Sequence, residues 1–86
     1  MARFELRFKP SVVKDLRGIP KANVRRLLKK AESLRDEPRP PGSEKLTNQE
    51  LYRIRQGSYR IVYSVDDVAI VVEVIKVGHR REVYRD

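Results

Sequence analysis

The stretch Leu51–Tyr63, LYRIRQGSYRIVY, sets two alternating runs on either side of Gln56-Gly57-Ser58. Alternation at period two marks a half-buried strand, and a glycine between short polar residues is turn chemistry, so the segment predicts a β-hairpin. In the second run Tyr59, Ile61, Tyr63 and Val65 share one face, and Arg60, Val62 and Ser64 share the other. In the first run Tyr52 and Ile54 oppose Leu51, Arg53 and Arg55. The aromatic and aliphatic sets belong against a core. Arg53 and Arg55 join Arg60 on the opposite face if residue pairs across the hairpin sum to an odd number, as 55 with 58 does. A three-residue loop with a bulge would upset that arithmetic. Exposed, solubilising side chains are the plain reading of such a face. Against it, three neighbouring guanidinium groups repel one another unless an anion visits, and arginine suits bidentate phosphate contact.

Upstream, Phe4, Leu6 and Phe8 alternate with Arg3, Glu5 and Arg7, the pattern of a first strand. Pro10-Ser11 offers a helix start, with Ser11 as its cap before Val12, Val13 and Leu16. Gly18-Ile19-Pro20 ends that helix, and Pro20 suits the first turn of the next. Val24, Leu27, Leu28, Ala31 and Leu34 then form one apolar stripe. Lys21, Arg25, Arg26, Lys29 and Lys30 occupy much of the remainder, either as a solvated face or as a contact for RNA or an acidic partner. Glu37-Pro38-Arg39-Pro40-Pro41-Gly42 is a loop, because proline cannot continue a helix.

Downstream, strands are expected near 51–55, 59–65 and 68–77, with Asp66-Asp67 as the second turn. Val68-Ala69-Ile70-Val71-Val72 is apolar at every position, which predicts a central strand covered on much of both faces. A two-residue turn at Asp66-Asp67 would place Arg60 opposite Glu73, as an ion pair or with Glu73 orienting Arg60 or acting as a base. The order β-α-α-β-β-β over residues 1–86 predicts one α+β domain, a mostly antiparallel sheet with two N-terminal helices packed on one face.

The 86 residues include no cysteine and a single histidine, His79, too few soft ligands for a zinc or iron site. The longest apolar run is Val68–Val72, far short of the roughly 20 residues that span a bilayer. MARFELRF lacks the apolar block of a signal peptide, so a soluble cytoplasmic protein without a membrane role is expected. Twenty basic residues against twelve acidic ones leave a formal +8, which attracts polyanions, with nucleic acid first among them. Residues 21–39 carry seven basic and three acidic residues, whereas 40–86 carry eight and seven. Net charge therefore does not mark the hairpin; only its geometry could.

The chain closes with Val77-Gly78-His79-Arg80-Arg81-Glu82-Val83-Tyr84-Arg85-Asp86. LYRIRQGSYRIVY, a valine-rich strand and VGHRREVYR together resemble the RelE/ParE toxin family, specifically its RelE-like branch, over essentially the whole chain. The resemblance implies the toxin of a type II toxin–antitoxin pair, an endoribonuclease that enters the ribosomal A site and cuts mRNA without a metal or small-molecule cofactor. The RNA's own 2′-hydroxyl attacks the adjacent phosphate, leaving a 2′,3′-cyclic phosphate and a 5′-hydroxyl. The implied partners are the ribosome with its mRNA and an antitoxin bearing an acidic segment. The family's basic sheet residues match Arg53, Arg55 and Arg60, its arginine after the glycine turn matches Arg80, and its C-terminal aromatic matches Tyr84. Arg81 joins the phosphate-binding set.

One departure is chemical. The best-known RelE-like member has lysines where Arg53 and Arg55 stand, and arginine stays protonated, so these two neutralise charge and do not move protons. The loop before Arg60 is also two residues shorter here. His79 alone titrates near neutrality unaided and is the first candidate acid or base, ahead of Glu73 and Glu82; the proton-transfer pair stays unassigned. Two alternatives share the scaffold: a ParE-like inhibitor of DNA gyrase, and an inactive basic module that binds RNA or antitoxin.

Overall fold

The computed structural model describes residues 3–46 and 50–79. The N-terminal alternation folds into strand β1, Glu5–Phe8, and helix α1 follows over Pro10–Arg17. Lys9, not Ser11, is the N-cap of α1, and it makes no side-chain cap bond. The proline sets the start instead: at the first helical position its missing N–H would be unpaired anyway and its fixed φ suits the helix. Ser11 therefore falls inside the first turn. Helix α2, Lys21–Ser33, begins one residue after Pro20, whose carbonyl accepts the Val24 N–H at 3.0 Å. Its stripe is narrower than the periodicity suggests. Leu27, Ala31 and Leu34 are buried and Val24 half-buried, but Leu28 is 41% exposed.

Strands β2 (Glu44–Lys45), β3 (Leu51–Gln56), β4 (Tyr59–Asp66) and β5 (Val71–His79) complete a sheet of order β1-β5-β4-β3-β2. Only the β1–β5 pairing is parallel. The expected α+β order is therefore observed, with one addition. β2 is two exposed charged residues, too short for alternation to reveal it. The helices cover one face of the sheet. Val12 of α1 and Leu27 and Ala31 of α2 share a core with Tyr52, Ile54, Ile61, Tyr63, Val65, Val72, Val74 and Val77. Truncating a buried leucine such as Leu27 to alanine would cost about 2–5 kcal/mol.

β5 begins three residues later than the apolar run suggests. Asp67–Ile70 form the turn, and the Asp66 Oδ1 accepts the N–H groups of Val68 (3.0 Å) and Ala69 (2.9 Å). That side-chain turn outcompetes continued pairing, and it leaves Val68 95% exposed. Val65 consequently pairs with Val72, and Arg60 lies opposite Gly78 rather than Glu73, which faces Ser64 on one side and Arg7 on the other. The register also shifts at Val62/Tyr63: Val62 pairs with Lys76 and Tyr63 with Val74, leaving Ile75 as an extra residue. The bulge is what lets Val74 and Val77, an odd number of residues apart, both reach the core. An Asp15 carboxylate oxygen from α1 accepts the Val77 N–H at 3.2 Å.

The proline loop is held by aromatic chemistry. Tyr52 and Tyr63 stack at 5.8 Å between ring centroids, and the Tyr63 hydroxyl donates to the Pro38 carbonyl at 2.7 Å. Arg39 lies 5.2 Å from the Tyr52 ring centroid, donates to its hydroxyl at 2.9 Å, and grips Asp67 with two bonds of 3.1 and 2.7 Å. One side chain thus ties the loop to β3 and to the β4–β5 turn. The Arg39 contact holds the Asp67 carboxyl below its ordinary range.

Two outcomes follow for stability. Ile70 has φ 59°, a left-handed conformation that a β-branched residue adopts only under strain. Ile70→Asn should raise stability by about 0.5–1 kcal/mol, read as an increased thermal midpoint. Burial pushes the Tyr63 hydroxyl above its ordinary value of 10.0. The native state then holds that proton more tightly than the unfolded chain, so the associated stability is full below about pH 10 and falls as pH rises toward the folded value. Alkaline unfolding of Tyr63→Phe should show a shallower decline than the parent, although the variant starts about 1 kcal/mol lower from its lost hydrogen bond.

Candidate nucleic-acid interface

Gly57-Ser58 form a two-residue turn, with Gln56 paired to Tyr59 and Gly57 at φ 62°, the left-handed region that favours glycine. The turn is tighter than a three-residue loop, and the pairing sum stays odd. Arg55 lies directly opposite Arg60, and Arg53 opposite Val62; Ile54 meets Ile61, and Tyr52 meets Tyr63. Directly opposed residues share a face, so Arg53, Arg55 and Arg60 gather on the side away from the helices.

Their environments differ. Arg55 is exposed, Arg53 is half-buried, and Arg60, on the central strand, is only 8% exposed. Burying a guanidinium is expensive, of the order of several kcal/mol before compensation. Placing another arginine directly across from it adds repulsion, about 0.2–1 kcal/mol for such a pair. A Glu44 carboxylate on β2 sits 3.4 Å from the Arg53 Nε, but Glu44 is largely exposed and the pair is worth about 0–1 kcal/mol. A hollow of about 260 Å³ opens here, lined by Gly42, Glu44, Arg53, Ile54, Arg55 and Arg60. Its lining combines three guanidinium groups with one carboxylate, a set of donors that could receive an anion.

β5 extends this face. Gly78 across from Arg60 brings no side chain, and the bulge brings Lys76 opposite Val62. Lys76 escapes sequence reasoning because only the shifted register reveals its row; its signal was being the one lysine of that strand.

His79 does not join the arginines. It pairs with Tyr59 on the helix side of the sheet, meets that ring edge-on at 6.0 Å, and lines a hollow with Asp15, Ile19 and Lys76. Parity decides this, since Gly78 occupies the arginine row. Glu73 lies past the bulge, opposite Ser64, four residues along β4 from the partner of Arg55. Arg80, Arg81, Glu82 and Tyr84 lie outside the described residues. Among the described residues, no group of three or more histidines, cysteines or carboxylates could hold a metal ion, and no helix is long and apolar enough to cross a membrane.

Comparison with known proteins follows the same lines. A family model described as the ParE toxin of type II toxin–antitoxin systems, parDE, matches residues 6–84. A mutant of E. coli toxin RelE, solved in the free state, is 36% identical with a TM-score of 0.79, covering 98% of this chain and 92% of that one. A chain of the archaeal RelE–RelB complex from Pyrococcus horikoshii is 33% identical with a TM-score of 0.78, covering 91% and 96%. A chain of the toxin–antitoxin complex RelBE2 from Mycobacterium tuberculosis is 26% identical with a TM-score of 0.80, covering 91% and 99%.

If the hollow seats an anion, inorganic phosphate should stabilise the fold at matched ionic strength, by about 1.4 kcal/mol at ten times its dissociation constant. Arg55→Ala should lose most of that gain while keeping the general salt effect that both proteins share. Equal stabilisation of the two would count against the seat.

Proposed function

The chain belongs to the RelE/ParE family of toxins from type II toxin–antitoxin systems, and from that membership we propose that it is a ribosome-dependent mRNA endonuclease of the RelE-like kind. The observation that carries this reading is the hairpin register, which gathers Arg53, Arg55 and Arg60 around one hollow on the face left open by the helices. A gyrase-directed toxin has no evident use for that seat.

In the proposed reaction the 2′-oxygen of the RNA bonds to the adjacent phosphorus and the bond to the 5′-oxygen breaks. The products are a 2′,3′-cyclic phosphate and a 5′-hydroxyl. The phosphorane-like transition state gains negative charge, and preorganised guanidinium groups stabilise it more than the ground state. Among the described residues, Arg60 suits this task best because it is buried on a central strand, with Arg55 beside it and Arg53 on the neighbouring row. Arg80 and Arg81 would add phosphate contacts, and Tyr84 would stack on a base or hydrogen-bond to the reacting groups. Proton removal from the 2′-hydroxyl and delivery to the 5′-oxygen fall to groups other than these arginines, which stay protonated. His79 is set back from that work by its place on the helix side; Lys76 and Tyr84 are the titratable groups nearer in row and in motif. The partner that silences the toxin would be an antitoxin whose acidic segment competes for the arginines.

Programmed ribosomes carrying a defined mRNA should yield new 5′-hydroxyl ends at the A site, and Arg60→Ala or Arg80→Ala should lower the rate about a hundredfold or more. Intact mRNA after incubation with active ribosomes would refute the proposal. The matching family model is named for ParE toxins, which keeps a ParE-like gyrase inhibitor as the second reading. Loss of gyrase supercoiling with untouched mRNA would select it. Normal growth on expression without any antitoxin would favour an inactive binding module over both.

A further inference from the structure

Helix α2 carries a second concentration of positive charge, on the opposite side of the sheet from the arginine hollow. Lys21, Arg25, Arg26 and Lys29 are exposed and Lys30 is half-buried, and at 3.6 residues per turn the five span about half of the helix circumference. None of the ion pairs among the described residues uses any of them. Glu32 on α2 and Asp36 just beyond it are committed elsewhere: Asp36 to Arg3 at 2.7 Å, and Glu32 to Arg35 at 2.9 Å and Arg3 at 3.5 Å. The charge of this face is therefore left for solvent or a partner.

We propose that the outer face of α2, continued by the β3–β4 hairpin tip, is a docking surface for the phosphate backbone of folded RNA. Two shallow hollows join helix to hairpin. One, of about 220 Å³, sets Arg26 and Asn23 against Gln56, Gly57, Ser58 and Tyr59; the other, of about 280 Å³, sets Arg26, Lys29, Lys30 and Ser33 against Gln56. Both offer hydrogen-bond donors beside cations, the combination that positions phosphates without reading sequence. A protein partner would need an apolar anchor at the centre of its contact. The cationic arc holds none larger than Ala22 at its centre; the apolar hollow of Val13, Leu16, Ile19 and Val24 lies at its margin toward α1, bordered by Lys21 and Arg25. Single-stranded RNA would need several aromatic rings on which successive bases stack, and this surface offers one, Tyr59, whose ring already meets His79 edge-on. A double-helical backbone asks for neither. Gln56 borders both hollows and follows Arg55 on β3, so the surface runs around the hairpin tip toward the arginine hollow. The inference goes beyond the cleavage proposal: it concerns binding, and it requires no cut.

The test measures affinity of the full chain for a non-cleaved, A-form RNA hairpin as a function of salt. The triple variant Arg25→Gln, Arg26→Gln, Lys29→Gln should make the slope of log affinity against log salt shallower by about 2–3. Affinity near about 0.1 M salt should fall at least tenfold. Arg25→Gln and Lys29→Gln singly should each change the slope by about 0.7–0.9, which keeps the test valid if the triple variant folds poorly. Unchanged slope and affinity in these variants would overturn the proposal. So would retained RNA affinity alongside lost binding of polyglutamate, which would assign the face to an acidic protein. Because the readout is equilibrium binding, failure here leaves the ribosome cleavage assay untouched, and failure of that assay leaves this result standing.

Discussion

Everything about the open face of this protein depends on one register, Gln56 against Tyr59, closed by a turn at Gly57-Ser58. Side chains alternate at a period of two, so a slip of one residue would send the arginines into the core and the tyrosines into solvent. Burial prevents that slip. Tyr52, Ile54, Ile61 and Tyr63 are all under 9% exposed against the helices, and inverting them would expose several large apolar groups at about 1.5–3 kcal/mol each. The hydrophobic face therefore holds the cationic face in place, although the two never meet.

The second device is the bulge in β5. Without its extra residue, Ile75, the row containing Arg60 would continue with a different set of partners on β5. With it, glycine stands beside Arg60, Lys76 enters the same side as Val62, and His79 is turned toward Tyr59. One inserted residue sorts the titratable groups of the strand between two faces. The Asp15 carboxylate, accepting the Val77 N–H, supports this irregular stretch from the helix side.

Charge is distributed in two ways. Near the core-side loop it is paired: Arg39 is bound by Tyr52 and Asp67, and Arg3 and Arg35 hold Glu32 and Asp36. These contacts link distant parts of the chain, the loop to the sheet and the N-terminal segment to the end of α2. On the outer face of α2 the cations have no such partners among the described residues, and on the arginine face like charge is set opposite like charge.

The sequence by itself determined the two helices, the hairpin and the order of the longer elements, and it left the sharing of one face by Arg53, Arg55 and Arg60 to an odd pairing sum that the two-residue turn supplies. Those features rest on local periodicity, and burying one face of a helix or strand leaves few alternatives. Only the tertiary structure decided where β5 starts, that Arg60 faces Gly78 and not Glu73, and that His79 parts from the arginines while Lys76 joins their side. The Asp66 side chain competes with strand pairing, and a bulge changes parity without leaving a mark in periodicity. β2 also emerges only in three dimensions, since Glu44-Lys45 is a strand solely because Arg53 and Tyr52 are beside it. Periodicity is a property of one segment; register is a property of two, and the position of the candidate site is a matter of register.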